Sequence, residues 1–496
     1  MVEVGSSSNV TVSKQVRPTP TGDIQRVGEQ GNSSNNTGRD DNVAENHDHS
    51  EYAPLLKAVQ SGNLKAVQDF LKLHPEATGA KVTWRNETAL HIAVIAEKTH
   101  IIEELVKVMS PKDLETRDRF GCTTLARAAA TEDYRLAECM IRKNPMLVSI
   151  PDDRPGYIPL NTATNFGNEE MARYLYSCTP LQDLEPEKGS NGASLIAEAI
   201  FAEYFDIALD LIERCPRLAR TQDRYNKSPL FALALMPKAF PSGIRLVFWK
   251  QWIYNYCIHI ESGRATKDVR LHIPNDQGGR VGSGFKQLHD MKLRHVQSHQ
   301  LLSRIYEEIS TFSQEDMIEY SIYSAFFRAA KNGIFELCFE MMRRNPILVQ
   351  VPDSDGQRIF MKAVLNRQAE IFSLIYGLKQ KKFAVAGQDR FSHNNILHMA
   401  GVLTASTPLN HIPGAALQMQ RELQWFKEVE SIVSPGAKIM QNNDNLTPKQ
   451  LFSLNHEDLR KKGEKWMQST ATSCTVVGSL IITIMFAVAF YRSRWK

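Results

Sequence analysis

One motif returns at a fixed interval through the first half of this chain, and that period limits what the chain can fold into more than any single residue does. The stretches APLLKAV, TALHIAV, TTLARAA, IPLNTAT, ASLIAEA and SPLFALA place Leu55, Leu90, Leu125, Leu160, Leu195 and Leu230 35 residues apart. Three residues after the leucine the first four copies carry Ala58, Ala93, Ala128 and Ala163. A large and a small apolar residue at that spacing share one helical face, on which a neighbouring helix can lie close. A second apolar helix follows in each period, as in LKAVQDFL, IIEELV, LAECMI, MARYLY and IALDLI, and stops at Pro75, Pro111, Pro145, Pro180 or Pro216. Proline lacks the amide donor and forces its predecessor out of the α region, so it ends that helix. Turn formers come next: DRFG at 118–121, DRPG at 153–156 and DRYN at 223–226. Helix, helix and projecting turn, repeated, describe a mainly α solenoid whose six leucines are its stacking positions.

From about 237 to 320 the period breaks. This stretch holds RLVFWKQWIYNYCIHI, a Gly-rich run NDQGGRVGSG, and a long helix whose Leu288, Met291, Leu302, Ile305 and Ile309 suit one apolar face. It is expected to be a helical linker between two blocks, 51–236 and 321–460. In the second block Phe326, Phe360 and Leu397 take the leucine position, with Pro346 and DSDG as punctuation, a longer helix GAALQMQRELQWFKEVESIV, and a degenerate last copy around DNLTPKQLF. The first 50 residues contain no aromatic apart from histidine and are rich in Ser, Asn, Gly and Asp, so they are expected to be a disordered tail.

The segment 461–496 ends in a run without charge from Thr475 to Tyr491, long enough with its neutral flank to cross a bilayer over about 470–491. Trp466 and Trp495 stand near its ends as interface anchors do, and a buried helix of a soluble domain is the competing account. No apolar signal segment opens the chain, so a span inserted after synthesis, with the rest in the cytosol, is expected. Within the span Thr475, Ser479, Thr483 and Ala487 recur every four residues, a small-residue face that could associate with another helix. Cys474 could be acylated, though a plain small residue explains it as well.

The period, TALHIA at 88–93 and SPLFALA at 228–234 resemble ankyrin repeats, whose unit is a turn finger plus two antiparallel helices. That resemblance gives Thr88 and His91 a structural role, bonding locally and tying adjacent repeats. Ala126, Asn161, Ile196 and Phe231 fill the histidine position elsewhere, where it implies no such bond. The finger residues Arg119, Phe120, Arg154, Arg224 and Tyr225 become the candidate partner surface. EDLRKKGEKWMQSTATSCTVVGSLIITIMFAVAF resembles the start of the PGG domain, the membrane region that follows ankyrin repeats in a large group of plant proteins. In that family the first membrane helix continues into a Pro-Gly-Gly loop and further spans; here FYRSRWK stands in its place, as in a shortened member.

Composition and motif searches narrow the function. A net charge of +4 spread over 496 residues leaves no footprint for nucleic acid. Seven scattered cysteines, without C-x-x-C or ligand spacing, fit reduced thiols better than disulfides or structural zinc. GGRVGSG lacks the Lys-Ser/Thr ending of a phosphate loop. His295 and His299 share a helix face, but without a third ligand they are expected to be a solvated face. Sequons at Asn9, Asn32, Asn35, Asn86 and Asn445 would matter only in a lumen. No catalytic, metal or cofactor constellation is expected. The resulting reading is an adaptor that binds protein partners and is held at a membrane, with the resemblance implying plant defence or stress signalling at the plasma membrane or endomembranes. The alternative is an oligomeric subunit or regulator of a channel or transporter.

Overall fold

The computed structural model describes residues 49–153, 156–244, 246–258, 260, 283–404 and 412–493. The N-terminal tail, Arg154 and the glycine-rich run up to residue 282 lie outside the described residues. Helices dominate, and one isolated antiparallel bridge, Gln388 to Asn395, is the extended pairing recorded among the described residues.

The first five repeats give the pairs α1 (Ala53–Ser61) and α2 (Leu64–Leu73), α3 (Ala89–Ile95) and α4 (Thr99–Val108), α5 (Thr124–Ala128) and α6 (Tyr134–Lys143), α7 (Pro159–Phe166) and α8 (Glu169–Cys178), α9 (Asn191–Phe201) and α10 (Phe205–Arg214). Then come α11 (Pro229–Ala234), α12 (Phe248–Tyr256), α13 (Ser283–Ile309) and α14 (Gln314–Glu319). The remainder is α15 (Ile322–Asn332), α16 (Phe335–Arg344), α17 (Ile359–Leu365), α18 (Ala369–Ser373), α19 (Lys381–Val385), α20 (Ile396–Gly401), α21 (Ala415–Ile432), α22 (Pro435–Ile439), α23 (Pro448–Asn455) and α24 (Glu457–Ser493).

Local chemistry explains where these helices begin. Thr88, Thr123, Ser228, Asn395 and Thr447 each accept a hydrogen bond from a first-turn amide, satisfying a donor the helix cannot. Before each cap stands a finger whose first residue folds the turn: the Asp118 carboxylate accepts from the Phe120 and Cys122 amides at 2.8 and 2.9 Å. Asp223, Asp353 and Asn442 do the same for their own fingers. The turn closes through a left-handed residue, Asn86, Gly121, Asn226, Gly356 or Asn445. Asn and Gly tolerate that conformation best, which also explains two of the sequons. Asn86 and Asn445 are the left-handed finger residues and Thr88 and Thr447 the caps two positions later, so finger chemistry alone writes Asn-x-Thr.

Packing is one continuous row. The inner helices α1, α3, α5, α7, α9, α11, α15, α17, α20 and α23 each lie against the next. Leu55, Leu90, Leu125, Leu160, Leu195 and Leu230 are fully buried between them, as are Phe326 and Phe360. The 237–320 stretch does not separate two blocks: α11 lies directly on α15. Instead α13 fills the outer position of the sixth pair, against α10, and its Leu301, Leu302, Ile305 and Ile309 are buried in the shared core. The expected linker is therefore an insertion between the two helices of one repeat. Its first half also corrects the solvated histidine face. His295 is 5% exposed, with Nδ1 2.6 Å from the Tyr254 hydroxyl and Nε2 3.3 Å from the Lys238 carbonyl, while His299 is exposed.

The row has two ends, one bearing the fingers and the other the short turns from inner to outer helix. Two outer helices overhang the turn end. In α13, Arg294 pairs with Glu203 in the turn before α10, while Glu308 meets Arg220 after it, so 283–293 project past the turns. In α21, Glu422 meets Arg367 in the turn between α17 and α18 and the Trp425 ring lies tilted against Phe372, so 415–421 project likewise. The last helix leaves along that second overhang. Only His456 separates α23 from α24; its Nε2 is 3.1 Å from Glu422, and further on Gly463 lies against Ala416 and Trp466 against Gly414. These contacts make α24 antiparallel to α21 and carry it away from the fingers. A Cβ at residue 463 would stand 3.3 Å from the Ala416 Cα, tighter than side chains ordinarily pack, so glycine eases this close crossing. Among the described residues α24 alone is long and apolar enough to cross a membrane, and its apolar side chains are exposed.

Candidate functional site: the finger row

Thr88 and His91 form a reciprocal cap. The Thr88 amide donates to His91 Nδ1 at 3.2 Å, which leaves the ring proton on Nε2, and Nε2 donates to the Cys122 carbonyl of the next finger at 3.2 Å. Burial pushes the His91 pKa down, so the neutral ring that this geometry requires is the favoured form. Asn395 and His398 reproduce the pattern, with Nε2 3.0 Å from the Leu446 carbonyl. That second tie was readable from Asn395-x-x-His398, the same spacing as Thr88-x-x-His91, and was missed. Where histidine is lacking, Asn161 reaches the Asn191 carbonyl of the next repeat at 3.0 Å. These residues tie each repeat to the next and are buried.

Fixed fingers present rigid tips. Trp84, 65% exposed, has the Arg85 guanidinium 5.0 Å and the Arg119 guanidinium 5.5 Å from its ring centre. The Arg119 amide donates to the Arg85 carbonyl at 2.7 Å, joining the two tips through backbone. Phe120 is 54% exposed with Arg127 5.3 Å from its ring, and Arg127 in turn pairs with the buried Asp118 carboxylate. Two arginines and two aromatics thus stand outward on a framework of hydrogen bonds. Tyr225 and Phe391 are exposed at the tips of later fingers, and the Arg390 amide bonds the Asp355 carbonyl at 2.8 Å as Arg119 does Arg85.

Arg224 is placed differently. The fifth repeat has no finger of this kind; a short helical turn, Pro186–Lys188, replaces it. Arg224 reaches across that gap, with its guanidinium 4.4 Å from the Tyr157 ring and its amide 3.4 Å from the Ser194 hydroxyl. Beneath it lies Glu198, in the register where the first four repeats carry alanine. Burial pushes the Glu198 carboxyl up to about 7 against the opposing hydrogen bonds from Tyr157 and Asn161. Arg224 is half-buried and serves the fold, whereas Arg119, Phe120 and Tyr225 are available to a partner.

Along α24, the Thr475, Ser479 and Thr483 hydroxyls each donate to the carbonyl four residues earlier, at 2.8 to 2.9 Å. Their polar groups are thereby satisfied within the helix, and with Ala487 they leave a small-residue strip. Among the described residues no group of three or more His, Cys, Asp or Glu could hold a metal ion.

A family model of ankyrin repeats matches residues 55–145, in three copies. Among solved structures, the ankyrin repeat domain of Bcl-3, titled a unique member of the IkappaB protein family, is 22% identical over 36% of this chain and 79% of that chain, with a TM-score of 0.31. No curated protein matches. The chain carries ankyrin repeats, an architecture that supports protein–protein interaction.

Proposed function

We propose that this protein is a membrane-tethered adaptor, binding protein partners through its finger row while α24 holds the stack at a bilayer. The observation that carries the binding half is the Trp84, Arg85, Arg119 and Phe120 cluster. Tryptophan and arginine dominate binding hot spots, and side chains already held by stacking and backbone bonds lose little entropy when a partner arrives. The tether rests on the length and exposure of the apolar α24. The resemblance of residues 457–490 to the start of the plant PGG region supports defence or stress signalling as the setting.

Proximity labelling in the native cell with wild type and with the pair W84S and F120S tests the binding surface. Both side chains are exposed, so the pair should keep the fold. Partners common to the wild type should fall at least tenfold in the variant, and an undiminished list would reject this face. A list without defence or stress-signalling components would remove that part of the reading. The repeats are placed on the cytosolic side, so Asn86 and Asn445 should carry no glycan; endoglycosidase-sensitive mass on either would overturn that orientation.

A further inference from the structure

We propose that α12 is a second membrane contact, its aromatic face seated in the headgroup layer of the bilayer that α24 crosses. The proposal rests on the reading of α24 as a span. Phe248 is 85% exposed, and Val247, Trp249, Trp252 and Tyr256 are each more than half exposed. A contiguous apolar surface on one short helix marks a binding face. This helix is not loosely attached. Its one buried side chain, Tyr254, bonds His295, and the Lys292 ammonium donates to the Tyr254 and Ile258 carbonyls at 2.6 Å each, closing the helix C-terminus. The exposed face is therefore held outward by specific bonds on the other side.

Placement selects the occupant. α12 is fastened to α13 at Lys292 and His295, where that helix begins to overhang the turn end, and α24 leaves the stack at the same end. The overhang 283–293 projects about 16 Å, and the stretch of α24 from 457 to 469, before the apolar run, about 20 Å. Both project from the turn end of the row, the end at which α12 is fastened. The face also has the composition of an interfacial helix: tryptophan and tyrosine combine an apolar ring with a polar edge and favour the boundary between headgroups and hydrocarbon. No acidic residue occurs from 244 to 260, while Lys250 lies beside Trp249 and Lys286 is exposed on the overhang. An anionic lipid surface attracts such a patch.

The test uses the full chain in vesicles of phosphatidylcholine and phosphatidylserine, with and without brominated acyl chains. Tryptophan emission of the wild type minus that of the pair W249F and W252F isolates the two α12 side chains, and each single variant gives the same subtraction should the pair fold poorly. Brominated lipid should quench at least half of that difference emission, and aqueous iodide should affect it little. Quenching by iodide alone would show α12 facing water and overturn the proposal. Quenching by neither would show it covered by protein, such as a second copy, and would overturn it equally. Release of the wild type from the vesicles at alkaline pH would overturn the span reading and this proposal together, whereas retention without lipid quenching would remove the proposal alone.

Discussion

Replacing Leu125 with aspartate is expected to unfold the first repeats. The side chain is fully buried between α3, α5 and α7, and an unpaired carboxylate there costs upwards of about 4 kcal/mol, comparable with the stability of a small domain. In a stack where each repeat is held chiefly by its neighbours, the loss spreads to both sides. Thermal unfolding followed by circular dichroism should show an early transition comprising a substantial part of the helical signal. Arg119→Asp, at a finger tip, removes a cation–π contact worth about 1 kcal/mol and no buried packing. Equal losses of Tm for the two would contradict the assignment of Leu125 to a stacking position.

Arg367→Ala should have the next largest effect, at the base of α24. The Arg367 and Glu422 side chains are 6% and 2% exposed and meet at 2.6 Å, with His456 3.1 Å from the same carboxylate. Removing one partner strands a buried charge, at a cost of about 3–5 kcal/mol. Arg367 also donates to the Val364, Ala400 and Val402 carbonyls, so the truncation leaves several acceptors unpaired. Burial by itself would raise the Glu422 pKa, but hydrogen bonds from His456 and Arg367 outweigh it and hold it below the ordinary value. A carboxyl depressed on folding stabilises above its unfolded pKa of about 4.3 and loses that contribution as pH falls through its folded value. Protection of the 457–466 amides, taken relative to their intrinsic exchange rates, should therefore be high in the wild type at pH 5 and 7 and fall as pH drops below the unfolded carboxyl value of about 4.3, and be low at every pH in Arg367→Ala. Unchanged exchange in the variant would show that the junction does not depend on the pair.

The repeat fold was legible because its leucines are locked in register: a residue buried between two stacked helices cannot drift without unstacking both. Leu55 through Leu230 announce that constraint by spacing alone. The insertion after α11 was not legible in the same way. Its apolar face, including Leu302, Ile305 and Ile309, identified a helix, but periodicity carries no information about which surface such a helix covers once the interval is lost. His295 shows the complementary failure. A histidine on a helix with polar neighbours reads as solvated until the Tyr254 hydroxyl, 41 positions earlier, is known to reach it. The finger tips were located by their turn residues, yet Arg224 could not be told from Arg119 by sequence. What separates them is the missing finger of the fifth repeat, a gap that one arginine fills and the other does not face.

The junction at His456 also sets what the fingers can sense. From Pro448, at the finger end of α23, to residue 469 the two nearly continuous helices climb about 33 Å before the apolar run begins. If α24 crosses a bilayer, as proposed, the tips point away from it and stand several screening lengths from its surface, since ionic attraction decays over about 8 Å in physiological salt. Arg85, Arg119 and Arg390 are then electrostatically blind to lipid headgroups. A cationic finger row close to an anionic membrane would be occupied by it; raised this far, its charge remains free to choose among soluble partners.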